Sequence, residues 1–142
     1  MALPVEDILA IQKLAADYNH LIDSGSAEAW AQLFVPDGTL EFGMPEGVKG
    51  HEDLSAFAAT INPATRHVIS NLSIDGEGEE AVASVYLEVY YTAPPGQPRE
   101  LAITGVYRDQ LRKEDGRWRY VSRQMVPDLG EWAPAPETVP GL

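Results

Sequence analysis

The stretch RHVISNLSIDGEGEEAVASVYLEVYYT, residues 66–92, decides the fold class. Arg66–Ile74 alternates in the way of a strand with one buried face, and Ala81–Thr92 is rich in the Val and Tyr that favour strands. Between them Asp75-Gly76-Glu77-Gly78 is a turn signal, so the two runs pair antiparallel. Toward the C-terminus the pattern repeats. Leu101–Leu111 is a third long strand, Lys113-Glu114-Asp115-Gly116 a tight hairpin, and Arg117–Val126 a fourth. Toward the N-terminus the period changes. Ile8, Ile11, Leu14, Ala15, Tyr18, Leu21 and Ile22 recur at steps of three and four, which lays an apolar stripe along a helix. Pro4, Glu6 and Asp7 suit its start, and Ser24-Gly25 its end. Ser26 can cap a second helix with Trp30, Leu33 and Phe34 on its apolar face, stopped by Pro36-Asp37-Gly38. Thr39–Phe42 reads as a short strand, Gly43–Gly50 as a loop, and Glu52–Thr60 as a third, short helix.

Helices first and antiparallel strands after them argue for an α+β domain. The expected architecture is a cone: a curved, mainly antiparallel sheet wrapped around the N-terminal helices and enclosing a pocket. It spans residues 1–127. Residues 128–142 form a Pro-rich tail with Pro134, Pro136, Pro140 and Trp132, expected to wrap over a neighbour or close the pocket. With 142 residues, one domain is expected.

Composition excludes several functions. Ten Lys and Arg against 22 Asp and Glu give a net charge of −12. Nucleic acid and anionic membrane surfaces both call for clustered positive charge, so neither is an expected partner. The absence of Cys removes disulfides, thiolate metal sites and Cys nucleophiles. No apolar run is long enough to span a membrane, and the first residues lack the pattern of a signal peptide, so a cytoplasmic location is expected. No His-x-x-x-His, His-Glu-x-x-His or carboxylate cluster at ligand spacing occurs, so no metal and no cofactor are expected. A small molecule is the expected partner.

Chemistry then rests on His, Asp, Tyr and Arg. His20 lies off the helix stripe and His51 opens the third helix; both read as exposed. His67 lies in a strand, where parity places it with Ile69 and Asn71. It is either a hydrogen-bonded core histidine or a site histidine. Asp23 sits at the C-terminal end of the first helix, against the helix dipole. It is either a solvated helix-end carboxylate or a base, or a group that orients a His. Tyr18 is a core tyrosine or a cavity acid. Five helical steps turn about 140°, so Tyr18 and Asp23 share a pocket only if it wraps the helix end. Arg123 alternates with Val121 and Met125 on one face. It either snorkels at an edge or points a fixed charge into a pocket.

The order of short motifs resembles SnoaL-like proteins of the nuclear-transport-factor-2-like superfamily. The motifs are Ile11-Gln12-x-Leu14, Tyr18-x4-Asp23, Trp30-x2-Leu33-Phe34-x2-Asp37-Gly38, His67-x3-Asn71-Leu72, and Tyr107-Arg108-Asp109 with Asp115-Gly116-Arg117-Trp118-Arg119-Tyr120-x2-Arg123. The resemblance covers about residues 5–127. Within the superfamily it is nearest to the bile acid dehydratase and hexachlorocyclohexane dehydrochlorinase group, with scytalone dehydratase more distant. It implies a lyase in which an Asp at the end of the first helix pairs with a strand His that removes a proton. That maps the pair onto Asp23 and His67, and two further site positions onto Tyr18 and Arg123. The second catalytic His of scytalone dehydratase has no counterpart among the long strands, and no strand Asp stands in a convincing pocket position.

The expected function is a cofactor-independent dehydratase or related β-elimination enzyme acting on a small alicyclic or aromatic compound. His67 is the expected base, since a neutral imidazole, with an ordinary pKa of about 6.5, accepts protons near neutral pH. Asp23 fixes its tautomer, Tyr18 protonates or binds the departing oxygen, and Arg123 stabilises developing negative charge. Trp30, Phe34, Phe57, Val89 and Tyr91 are expected pocket walls. An isomerase or cyclase using the same dyad, or a non-catalytic ligand-binding module, are the alternatives. A homo-oligomer, dimer or trimer, is expected.

Overall fold

The computed structural model describes residues 2–43, 46–61 and 65–128. Helix α1 runs Val5–Asp23. It starts at Pro4, whose carbonyl accepts from the N–H groups of Asp7 and Ile8 at 3.1 and 3.2 Å. It ends at Ser24, followed by Gly25 at φ +75°, a left-handed stop that glycine adopts without strain. Helix α2, Ala27–Ala31, is a short turn. Ser26 occupies its N-cap position, but its hydroxyl pairs with that of Ser24 at 2.9 Å and not with the helix.

Strand β1 is Phe34–Glu41, longer than the expected Thr39–Phe42. Phe34 therefore opens a strand and does not belong to the second helix. Pro36-Asp37-Gly38 lies within β1, where its register against β6 shifts. Strand β2 is Val48–Lys49 and helix α3 is His51–Thr60. The long strands follow: β3 Thr65–Glu77, β4 Glu80–Tyr91, β5 Glu100–Glu114 and β6 Arg117–Pro127. The β3–β4 turn is only Gly78-Glu79, so Asp75–Glu77 are strand residues. At the β5–β6 turn Asp115 and Gly116 both take positive φ, 50° and 76°, which matches the twist of a two-residue hairpin.

These strands form one curved, unclosed sheet in the order β2-β1-β6-β5-β4-β3. Pairing is antiparallel except for the parallel β1–β6 contact. The inward faces of β4, β5 and β6 pack with α1, Trp30, Phe34 and Leu54 into one core. A fully buried side chain such as Leu54 contributes about 1.5–3 kcal/mol. β3 is an edge strand, and α1 lies against it. No helix among the described residues is long and apolar enough to cross a membrane. The tail expected to act as a cover, with Trp132, lies outside the described residues from position 129 onward.

Two bulges correct the parity expected from sequence. Register shifts between Ser70 and Ser73, and Asn71 takes φ 57°, so Leu72 and Ile74 continue the inward face that His67 and Ile69 begin. Asn71 is exposed and does not share that face. In β6 the pairs Gln110–Ser122 and Leu111–Tyr120 leave Val121 as an extra residue. Tyr120 and Arg123 are consequently buried together, while Val121 is not on Arg123's face.

The start of α1 is tied to the β5–β6 hairpin through Asp7. Its Oδ1 accepts from Trp118 Nε1 at 3.0 Å and from Lys113 Nζ at 2.9 Å. The Trp118 hydrogen bond, with help from Lys113, holds the Asp7 carboxyl below the usual carboxylate range. A folded-state value below the unfolded one stabilises the fold above the ordinary carboxylate pKa, and that contribution is lost as pH falls through the folded value. Asp7→Asn is therefore expected to melt at a lower temperature than the wild type at neutral pH. Melting curves at successively lower pH should show the gap closing once Asp7 itself protonates. A gap independent of pH would mean that the carboxylate charge has no part in the contact.

Candidate functional site

Asp23 and His67 meet where the last turn of α1 crosses β3. A carboxylate there faces the negative end of the helix dipole, and three donors from β3 compensate. The His67 backbone N–H donates to Oδ2 at 2.9 Å, His67 Nδ1 lies 2.6 Å from Oδ1, and the Thr65 hydroxyl donates to Oδ1 at 3.4 Å. A carboxylate only accepts, so Nδ1 carries the proton and Nε2 is left with a lone pair. Both side chains are 13% exposed, shielded from bulk water yet reachable.

His67 borders two openings. On one side is a cavity of about 270 Å³ lined by Tyr18, Ile22, Leu40, Phe42, Phe57, Ile61, Tyr107, Met125 and His67 itself. On the other is an open cleft of about 550 Å³ between α1 and β3, lined by Ala16, Asn19, His20, Asp23, Ser24 and Arg66–Ile69. Tyr18 thus belongs to the cavity and Asp23 to the cleft, as their different helix faces require, and His67 joins the two. A depression of about 590 Å³ elsewhere is lined by Ser84, Arg108, Ser122, Gln124 and others, and shares no residue with either opening.

The expected pocket walls divide. Phe57 lines the cavity. Trp30 and Phe34 are fully buried one layer further back, with ring centroids 5.3 and 6.3 Å from that of Tyr18. Val89 is buried opposite His67 in the β3–β4 ladder but is not a wall of the cavity. Tyr91, at the end of β4, is 52% exposed and turned to solvent. Leu40, Phe42, Ile61, Tyr107 and Met125 are walls that the sequence reading did not select.

Arg123 is buried but does not line the cavity. Its Nε and Nη2 donate to the two oxygens of Asp109 at 2.7 and 2.9 Å. Its Cζ lies 4.3, 3.8 and 4.4 Å from the ring centroids of Tyr18, Tyr107 and Tyr120. Burial works against the guanidinium charge, but Asp109 outweighs it and holds the group above its ordinary range. Burial likewise raises the Tyr18 hydroxyl, opposed by the Arg123 charge, and pushes Tyr107 well up. All three tyrosines stay protonated at neutral pH. Asp109 is a strand Asp, a position the sequence reading set aside. Its inward alternation with Tyr107 and Leu111 is the signal that could have placed it.

The other histidines are not part of the dyad. His20 is exposed on the cleft side of α1. His51, expected at the surface, is half-buried. Its Nε2 donates to the Phe34 carbonyl at 2.7 Å, and Gln32 Nε2 donates to its Nδ1 at 3.3 Å. It pins α3, which carries Phe57, to β1. Among the described residues no group of three or more His, Cys, Asp or Glu is gathered as a metal site would need.

Solved structures share this architecture. A Mycobacterium tuberculosis protein of unknown function is 30% identical, with a TM-score of 0.79, covering 86% of this chain and 72% of its own. A Nostoc punctiforme protein of unknown function with a cystatin-like fold is 30% identical, with a TM-score of 0.81, covering 91% and 96%. An NTF2-like protein with a cystatin-like fold from Novosphingobium aromaticivorans is 25% identical, with a TM-score of 0.81, covering 89% and 85%. No curated protein matches the chain. The SnoaL-like domain profile matches residues 4–124, nearly the whole of the described sheet and helices, and the chain belongs to the SnoaL-like family within the NTF2-like superfamily.

Proposed function

We propose that the protein is a cofactor-independent lyase that removes water, or a comparable leaving group, from a small alicyclic or aromatic compound. The observation that carries this reading is the 2.6 Å Asp23–His67 contact at the wall of an apolar cavity. The family includes polyketide cyclases and dehydratases, which fits the same chemistry. His67 Nε2 takes a proton from carbon, the electron pair of that C–H bond forms the double bond, and the C–O bond on the neighbouring carbon breaks. Tyr18, protonated in the cavity wall, gives its proton to the departing hydroxide, which leaves as water. Asp23 holds the tautomer and stabilises the imidazolium. The proton on His67 Nε2 then passes to the Tyr18 oxygen, which regenerates both groups. Arg123 is a positioning residue in this scheme. Paired to Asp109, it meets substrate only through Tyr18, and its cation against the Tyr18 ring favours the transient tyrosinate.

The test is a panel of small alicyclic β-hydroxy ketones and their halide counterparts, incubated with wild-type protein in deuterated water. Formation of the conjugated alkene with loss of water or halide is the expected result. Deuterium incorporation with neither loss would instead assign the dyad to an isomerase or cyclase. Binding with neither event would assign a non-catalytic module. A homo-oligomer accompanies this reading, supported by exposed Val68, Val82 and Tyr86 on the outer face of the sheet.

A further inference from the structure

The cavity next to His67 is small. At about 270 Å³ it lies just below the range of about 300–1,000 Å³ usual for ligand pockets. The α1–β3 cleft on the other side of His67 is roughly twice as large and adds charged and amide groups to an apolar lining of Ala16, Val68 and Ile69. Ala16, Asn19, His20 and Asp23 stand at i, i+3, i+4 and i+7, so α1 turns one continuous stripe toward it. β3 is an edge strand, so side chains from both of its faces reach the same cleft, His67 from the inner face and Arg66 from the outer.

The donors in the cleft outnumber its available acceptors. Arg66 is exposed and has no hydrogen bond or ion pair among the described residues. His20 is exposed on the same stripe of α1. The carboxylate of Asp23 is already occupied by three donors from β3. Asn19 is 7% exposed, and its Oδ1 is buried without a partner among the described residues. With the oxygen turned inward, the amide's NH2 is the group left to face the cleft. In a chain of net charge −12, Arg66 is the cleft's unpaired charge: Asp23, the one carboxylate in its lining, is taken up by β3, which leaves the guanidinium and the Asn19 amide as the open donors.

We propose that this cleft is a second subsite, which takes an anionic oxygen group, carboxylate or phosphate, at one end of an elongated substrate whose apolar part fills the cavity. The proposal rests on the lyase reading for the identity of the ligand as substrate, and it places the reacting carbon at His67, between the two ends. It narrows the substrate class from a compact neutral ring to a ring bearing an acidic side chain.

Calorimetric titration of the intact protein with four probes tests it: cyclohexanol, cyclohexylbutanol, cyclohexylbutanoate and cyclohexylbutyl phosphate. A charge-assisted contact with Arg66 should make at least one anionic probe bind about tenfold tighter than the alcohol of the same skeleton. Arg66→Gln should abolish that advantage and leave cyclohexanol affinity unchanged. Gain with one anion only would identify the group as carboxylate or as phosphate. Equal binding of the alcohol and both anions, or an anionic preference that survives Arg66→Gln, overturns the subsite. Cyclohexanol reports on the cavity alone. Its failure to bind would count against the proposed function, while the Arg66 comparison would still decide the subsite.

Discussion

His67→Ala is expected to lower kcat for elimination by about a hundred- to ten-thousandfold, the range that a positioned general base supplies. Asp23→Asn is expected to cost a similar amount for a different reason. The carboxylate accepts from His67 Nδ1–H and so keeps the lone pair on Nε2. An Asn amide can turn its NH2 toward Nδ1 and favour the other tautomer, with the proton on Nε2, where it blocks proton abstraction. In the serine-protease triad that same exchange costs about ten-thousandfold. The Asn also cannot stabilise an imidazolium by charge. Cyclohexanol binding separates chemistry from folding, since the cavity is lined mainly by apolar groups. Retained binding with lost turnover is the expected pattern. Near wild-type kcat in both variants would mean that the dyad is a structural pair.

The dyad was legible because its residues stand in runs whose structure follows from pattern. Asp23 ends a helix whose apolar stripe and Ser-Gly stop are explicit, and His67 begins an unambiguous strand. That they touch was not in the periodicity. It came from the likeness of Tyr18-x4-Asp23 and His67-x3-Asn71-Leu72 to SnoaL-like motifs. Two misplacements share one physical cause. Counting by twos assumes an unbroken ladder, and a bulge inverts every later assignment. Asn71 and Val121 both lie at such breaks. Phe34 failed differently: a short apolar run reads equally as helix or strand, and here pairing with β6 decides. Asp109 was passed over because a charged residue in a strand suggests the solvent side, and its partner lies 14 positions away across a hairpin. A buried Arg and a buried Asp explain each other only once the register is known.

That pair carries the largest expected effect on stability. Asp109→Ala should destabilise the fold by about 3–5 kcal/mol, because it strands a buried guanidinium. Arg123 is 1% exposed, cannot shed its proton, and has both remaining faces against tyrosine rings. Total stabilities of about 5–15 kcal/mol make this a large fraction, visible as a shift of the urea midpoint. Arg123→Met should cost less, since the orphaned Asp109 carboxyl can take up a proton and become neutral. The double variant Asp109→Leu with Arg123→Met removes both charges and leaves no stranded group. It should recover most of the stability that either single change loses. Catalysis should not recover with it, because the tyrosinate at Tyr18 would lose the cation beside its ring. A double variant as active as the wild type would remove Arg123 from the mechanism, and a double variant less stable than Asp109→Ala would mean that the pair stabilises the fold in its own right.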